Sequence, residues 1–160
     1  MVVQSKKRDY EYAIEIIKPQ RLEIFANIDF LGRNIIFQDE KYKITIDSFD
    51  EPSVLKLLYK SENRDIKVGE LVCSKKTYFN NDYFYINYVV VSDKHKGSGY
   101  SYRMMNCLLS ILNPSIKGLI VNIKDRLQVK PMIKLFTELG GYKNGFGYME
   151  ILNPKKNVLN

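Results

Sequence analysis

The sequence predicts a mixed α/β (α+β) fold, and three observations carry it. Short runs of alternating apolar and polar residues recur between Lys41 and Val91, separated by turn-type clusters, which is the pattern of an antiparallel meander. The period then becomes helical at Ser101–Leu112, and again at Val129–Leu139. A continuous apolar run, Leu119 to Val121, lies between the two helical stripes. A strand joined through a helix to the next strand usually pairs parallel with it. The expected architecture is one domain over residues 1–160, with a mixed, mostly antiparallel sheet, a central parallel strand pair and flanking helices.

The elements follow in order. Tyr10, Tyr12, Ile14 and Ile16 alternate as a strand ending before Pro19, and Leu22, Phe25 and Ile28 predict a short helix over about 20–30. Gly32-Arg33-Asn34 reads as a turn, and Ile35 to Phe37 is apolar and ambiguous. Strands are expected at Lys41–Phe49, Val54–Lys60, Lys67–Ser74 and Tyr83–Val91. The turns between them fall at Asp50-Glu51-Pro52, Ser61–Asp65 and Asn80-Asn81-Asp82. Tyr83–Val91 is aromatic and β-branched throughout, the strongest strand signal in the chain. Asn113-Pro114 ends the first helix, Gly118–Lys124 is a buried strand, and Gly140-Gly141 stops the second helix. Tyr148–Leu152 is a last short strand.

Composition narrows the function classes. With 160 residues and 45% hydrophobic content, the chain can bury a core without staples and is too apolar for a disordered segment. No apolar run reaches the roughly 18–20 residues that span a bilayer, and Asp9, Glu11 and Glu15 interrupt any signal-type run, so the chain is read as cytoplasmic with no membrane partner. Cys73 and Cys107 each sit in an apolar run, and His95 is the only histidine, which is too few ligands for a zinc site. The net charge of +7 favours polyanionic partners, nucleic acid and phosphorylated cofactors among them.

Chemistry concentrates where the strongest strand meets the first clear helix, Val89-Val90-Val91-Ser92-Asp93-Lys94-His95-Lys96-Gly97-Ser98-Gly99-Tyr100-Ser101. Small residues let a ligand approach the backbone, and successive N–H groups at a helix start form an anion cradle. A dinucleotide fingerprint would need glycine where Tyr102 stands, and the P-loop Gly-Lys-Ser/Thr is absent.

Val91 to Ser101 resembles the acetyl-CoA signature of the GNAT superfamily of N-acetyltransferases. That signature is a strand valine, four residues, then Gln/Arg-x-x-Gly-x-Gly/Ala opening a helix. Here it reads Lys96-x-x-Gly99-x-Ser101, with lysine and serine as departures. Leu135-Phe136-Thr137-Glu138-Leu139-Gly140-Gly141 resembles the family's Leu-Tyr-Glu-Lys-Leu-Gly-Phe. The likeness covers residues 66–152 best and 41–65 loosely, with a divergent 1–40.

The resemblance implies acetyl-CoA as cosubstrate, lying in a splay between Tyr83–Val91 and Gly118–Lys124. Backbone groups of Val89, Val90 and Val91 would pair with its pantetheine arm. The N–H groups of Gly97, Ser98, Gly99, Tyr100, Ser101 and Tyr102 would hold the pyrophosphate, with Lys94, Lys96 and Arg103 near the phosphates. It further implies an acetyl transfer to an amine, be it a small molecule, a protein or an aminoacyl-tRNA. Phe136 stands where many members have an acidic tyrosine, and Tyr85, Asn87 and Asn122 occupy the positions nearest the usual base. Glu70, His95, Tyr142 and Tyr148 are further candidates. Two other classes stay open: a catalytically silent module binding a protein or nucleic acid, and a basic RNA-binding domain using Tyr83–Tyr88 as an aromatic platform. A homodimer is compatible with all three.

Overall fold

The computed structural model describes residues 34–48, 52–123 and 129–155. The strand pattern at Tyr10–Ile16 and the helix over about 20–30 lie outside the described residues. Five strands come first: β1 (Asn34–Gln38), β2 (Tyr42–Ser48), β3 (Ser53–Lys60), β4 (Asp65–Tyr78) and β5 (Asn81–Val91). A short 3-10 turn (Asp93–His95) leads into α1 (Tyr100–Ile111), followed by β6 (Ile116–Asn122) and α2 (Val129–Glu138). The chain closes on β7 (Tyr142–Lys143) and β8 (Tyr148–Leu152). The strands form one sheet in the order β1-β2-β3-β4-β5-β6-β8-β7.

The meander is antiparallel from β1 to β5, and β5 with β6 is the one parallel pair among the described strands. α1 forms the crossover that a parallel pair requires. α2 also leaves β6, yet β8 runs antiparallel to β6, because β7 and a tight turn reverse the chain before β8 begins. The ambiguous Ile35–Phe37 segment is a strand pairing with β2. The turn expected at Asn80-Asn81-Asp82 sits one residue earlier. Phe79 and Asn80 take φ of 50° and 65°, the left-handed values of a tight hairpin, so Asn81 and Asp82 join β5.

Residues paired across strands share a face of the sheet, and neighbours along a strand alternate. One face therefore carries Ile44, Leu55, Leu57, Leu71, Cys73, Ile86, Leu119, Val121, Met149 and Ile151. These are buried in a single apolar cluster with Met104, Met105 and Leu108 of α1 and Met132 and Phe136 of α2. Tyr83, Tyr85, Tyr88, Ile120, Asn122, Tyr148 and Glu150 lie on the opposite face.

β6 and β8 meet at Gly118, which pairs with Leu152. A Cβ on Gly118 would run into the Ile151 carbonyl oxygen and stand only 3.2 Å from Leu152 Cα. Only glycine fits this close approach of two backbones. No described helix is long and apolar enough to cross a membrane.

Candidate functional site

The parallel pairing of β5 with β6 ends early. It runs from Asp82↔Ile116 to Tyr85↔Ile120, although β5 continues to Val91 and β6 to Asn122. A bulge explains the parting. Val72 pairs with Tyr88 and Cys73 with Ile86, so Asn87 is an extra residue on β5. A bulge bends its strand and sharpens the twist. Beyond it β5 has no β6 partner among the described residues, and this unpaired border of β5 is the slot. At the mouth, the Asn122 amide N–H reaches the Tyr85 hydroxyl at 3.4 Å. The Ser74 hydroxyl donates to Asn87 Oδ1 at 3.0 Å, which holds the bulged side chain against β4.

The strand that lines the slot leads directly into the loop before α1. The loop starts with the Ser92 amide bound to the Val68 carbonyl at 2.7 Å. Lys96, Gly97 and Ser98 are exposed. Gly97 and Gly99 take φ of 86° and 81°, a left-handed conformation that costs other residues about 1–2 kcal/mol. A Cβ on Gly97 would meet nothing within 4 Å, so there is room for a bulky guest against the loop. Gly99 is the N-cap of α1 and brings no side chain to its orphan amides. The first bond back within the helix runs from the Arg103 amide to the Gly99 carbonyl at 3.0 Å. The first turn has no acidic residue to offset the helix dipole. The Tyr100 and Tyr102 side chains are buried, which leaves their backbone amides as the polar end of the helix.

Asp39, just after β1, clamps this helix start. Its Oδ2 accepts from the Tyr100 hydroxyl at 2.7 Å and from the Arg103 guanidinium at 2.8 Å. Its Oδ1 accepts from the amides of Lys41 and Tyr42 at 2.9 and 2.8 Å. The Arg103 guanidinium also lies over the Phe37 ring, 4.2 Å from its centroid. Beside the clamp, Tyr42 bonds to His95 Nδ1 at 2.7 Å, so β2 grips the 3-10 turn as well. Burial alone would raise the Asp39 carboxyl. Its bonds from Tyr100, Tyr42 and Lys41 and the Arg103 charge outweigh burial and hold it below the usual range. Burial, then the hydrogen bond to Asp39 and the Asp39 charge, push the Tyr100 phenol well up.

A carboxyl held low in the folded state stabilises the fold fully above its unfolded value of about 3.9. That contribution is lost as pH falls through the folded value. Asp39→Asn is expected to cost about 1–3 kcal/mol at neutral pH. Urea unfolding at about pH 7, 5 and 3.5 should show wild type losing more stability than the variant over the acid step. Parallel losses would mean that Asp39 contributes nothing to the acid dependence.

The residues expected from the sequence divide into three groups. In the first, Val89, Val90 and Val91 lie on β5 past the bulge, and Lys96 to Tyr102 follow after the Asp93–His95 turn as the loop and first helical turn. Tyr85, Asn87 and Asn122 gather at the mouth of the slot. Others are engaged elsewhere. Arg103 belongs to the Asp39 clamp, and Lys96 pairs with Asp93 at 3.0 Å in an exposed ion pair of little energetic weight. Glu70 accepts from the Tyr88 hydroxyl and from Lys67, and both bonds pull its carboxyl down, making it a weak base. Phe136 is fully buried in the core. The Tyr148 hydroxyl donates to the Tyr78 hydroxyl at 3.1 Å.

Two residues escaped the sequence reading. Asp39 lies in a segment without periodicity, and only its partners reveal it. Glu150 alternates with Met149 and Ile151 as an outward residue of a strand would, yet it is 3% exposed. The signal available was a lone carboxylate in a five-residue apolar strand.

No protein-family model matches the sequence, and no curated protein matches it. Among solved structures, the chain is similar to AtaTR bound with acetyl-CoA at 13% identity, covering 68% of this chain and 71% of that one, with a TM-score of 0.49. It is similar to the NatC complex bound to Gag peptide and CoA at 13% identity, covering 61% and 66%, with a TM-score of 0.48. Arabidopsis thaliana NAA60 in complex with a bisubstrate analogue is 9% identical over 88% of this chain and 89% of that one, with a TM-score of 0.46.

Proposed function

We propose that this chain is an N-acetyltransferase, moving an acetyl group from acetyl-CoA to an amine. One observation carries the reading: β5 beyond the Asn87 bulge has no β6 partner among the described residues, and it leads through the Asp93–His95 turn to a helix start without a side-chain cap. A slot bordered by unpaired strand backbone suits an amide-containing chain such as pantetheine. An amide cradle beside it suits a pyrophosphate. The two adjoin in the order in which that coenzyme carries them.

Val89 to Val91 offer backbone donors and acceptors to the pantetheine arm, and the Gly97–Tyr102 amides hold the pyrophosphate. Acetyl-CoA supplies an activated acetyl thioester. The amine nitrogen forms a bond to the acetyl carbon, the carbon–sulfur bond breaks with its electron pair leaving on sulfur, and the amine gives up one proton to solvent water. A β5 N–H past the bulge stabilises the negative charge that develops on the acetyl oxygen. Phe136 cannot donate a proton to the departing sulfur. A thiol with a pKa of about 8.5 leaves as its anion near neutral pH, so the step proceeds without an acid.

Calorimetric titration with acetyl-CoA and CoA tests the cradle, and thiol release tests the transfer. The panel holds small amines, peptides with free amino termini and, given the +7 charge, aminoacyl-tRNA. Coenzyme binding with amine-dependent thiol release is the expected result. Binding without release from any acceptor would support a silent coenzyme-binding module instead. Absence of binding would overturn the reading.

A further inference from the structure

His95 is the only histidine in the chain. It ends the 3-10 turn and stands two residues before Gly97. Consecutive Cα atoms are about 3.8 Å apart, so these two lie within about 8 Å of each other. The half-buried ring packs against two strands. Tyr42 of β2 is bonded to Nδ1 at 2.7 Å, with its ring edge-on at 5.6 Å, and the Tyr59 ring of β3 lies at 5.1 Å. Tyr42 in turn touches the Tyr59 ring at 5.4 Å and the Tyr100 ring of α1 at 4.1 Å. The His95 amide donates to the Ser92 carbonyl at 2.9 Å. One side chain thus fastens the loop before α1 to the sheet.

This setting accepts the ring in either charge state. A neutral imidazole accepts the Tyr42 proton at Nδ1 or donates to the Tyr42 oxygen from there, and an imidazolium donates to the same oxygen. Electron-rich tyrosine rings also attract a cation. The charges around it decide which state wins. Tyr42 faces it from β2 and Tyr59 from β3, while Tyr100, Arg103 and Asp39 stand behind Tyr42. Asp93, Lys94 and Lys96 share its own loop. Asp39 is paired with Arg103, and Asp93 with Lys96. Each of these carboxylates is therefore matched by a cation, and Lys94 and the positive end of α1 remain in excess. Among the described residues the neighbourhood is positive, and a polyanion arriving on the loop reverses its sign.

We propose that His95 is a proton-linked positioning residue of the coenzyme loop. It holds the loop to β2 through Tyr42 and takes up a proton as the pyrophosphate binds. The proton comes from solvent and adds to the ring nitrogen that carries none. The proposal rests on the acetyl-transfer reading. Linkage fixes its sign: a ligand that favours the imidazolium is itself bound more tightly where imidazolium is abundant, at lower pH. Histidine is the side chain that ordinarily changes charge between pH 5 and 8, so the effect falls in that window.

The probe is dephospho-CoA, whose pyrophosphate is a diester and keeps its charge over this range. Calorimetry should find it bound about threefold or more tightly at pH 6 than at pH 8. By NMR, the ring protons of the single histidine give unique signals. Saturating ligand should move their titration curve to higher pH by about half a unit or more, the same factor read from the other side. A latch that only holds the loop moves neither quantity. His95→Gln keeps a hydrogen-bonding group for Tyr42 and cannot titrate, so its affinity should be equal at the two pH values. A pH dependence surviving in that variant overturns the proposal. So does wild-type binding with an unmoved histidine curve, which stands even if the variant does not fold and leaves the transferase reading intact. No binding of dephospho-CoA by wild type at either pH overturns both.

Discussion

Gly118→Ala is expected to destabilise the protein by about 3 kcal/mol or more, a large effect for one methyl group. The added Cβ meets backbone, the Ile151 carbonyl oxygen and Leu152 Cα, and not the yielding end of a side chain. β6 can avoid it only by parting from β8. That would disturb the Ile120↔Glu150 row and the mouth of the slot together. Urea or thermal unfolding of the variant measures the loss. A midpoint matching wild type would mean that β6 and β8 are not packed backbone against backbone at this row.

Gly99→Glu should weaken coenzyme affinity about 100-fold or more. Two effects combine. The residue must hold φ of 81°, where a side chain costs about 1–2 kcal/mol. The new carboxylate stands at the helix start where the pyrophosphate is proposed to lie, and two like charges about 4 Å apart repel by roughly 4 kcal/mol at an effective dielectric of 20. Gly99→Asn separates the two effects, since asparagine tolerates the left-handed region and brings no charge. It should lose less than tenfold. Calorimetry with CoA reads both variants, and an unchanged affinity in Gly99→Glu would move the phosphate site elsewhere.

The two halves of the chain were legible to different degrees. Tyr148–Leu152 and α1 stand close to where periodicity placed them, because each has a continuous apolar stripe facing one cluster. β4 runs past Ser74 to Tyr78 through Lys75, Lys76 and Thr77. Those residues bury little, and their strand conformation comes from pairing with β5, which no local pattern reports. β7 is two exposed residues and has no pattern to read.

The site divides in the same way. The glycine-bearing helix start was legible because glycines and small residues cluster there in the sequence, while its role as a cradle is a proposal. The bulge was not, since an extra residue becomes visible only against the partner strand: Asn87 looks ordinary until Tyr88 is seen opposite Val72 and Ile86 opposite Cys73. Glu150 was illegible for a similar reason. Alternation assigns it a face and cannot say whether that face is wet.

The parting of β5 from β6 leaves an edge strand inside the sheet. Past the bulge, β5 is paired on its β4 side alone among the described residues, and its last residues are three consecutive valines, with Tyr88 and Val90 exposed. Short, apolar, β-branched and uncharged edges template the addition of another chain, and natural edges are normally blunted by charge, proline or a cover. This one has a bulge and no charged side chain from Tyr83 to Val91. An occupant that pairs with the open backbone therefore also caps the most adhesive segment of the sheet. A ligand that pairs with this edge is therefore expected to reduce self-association by mass action, which light scattering with and without CoA would read.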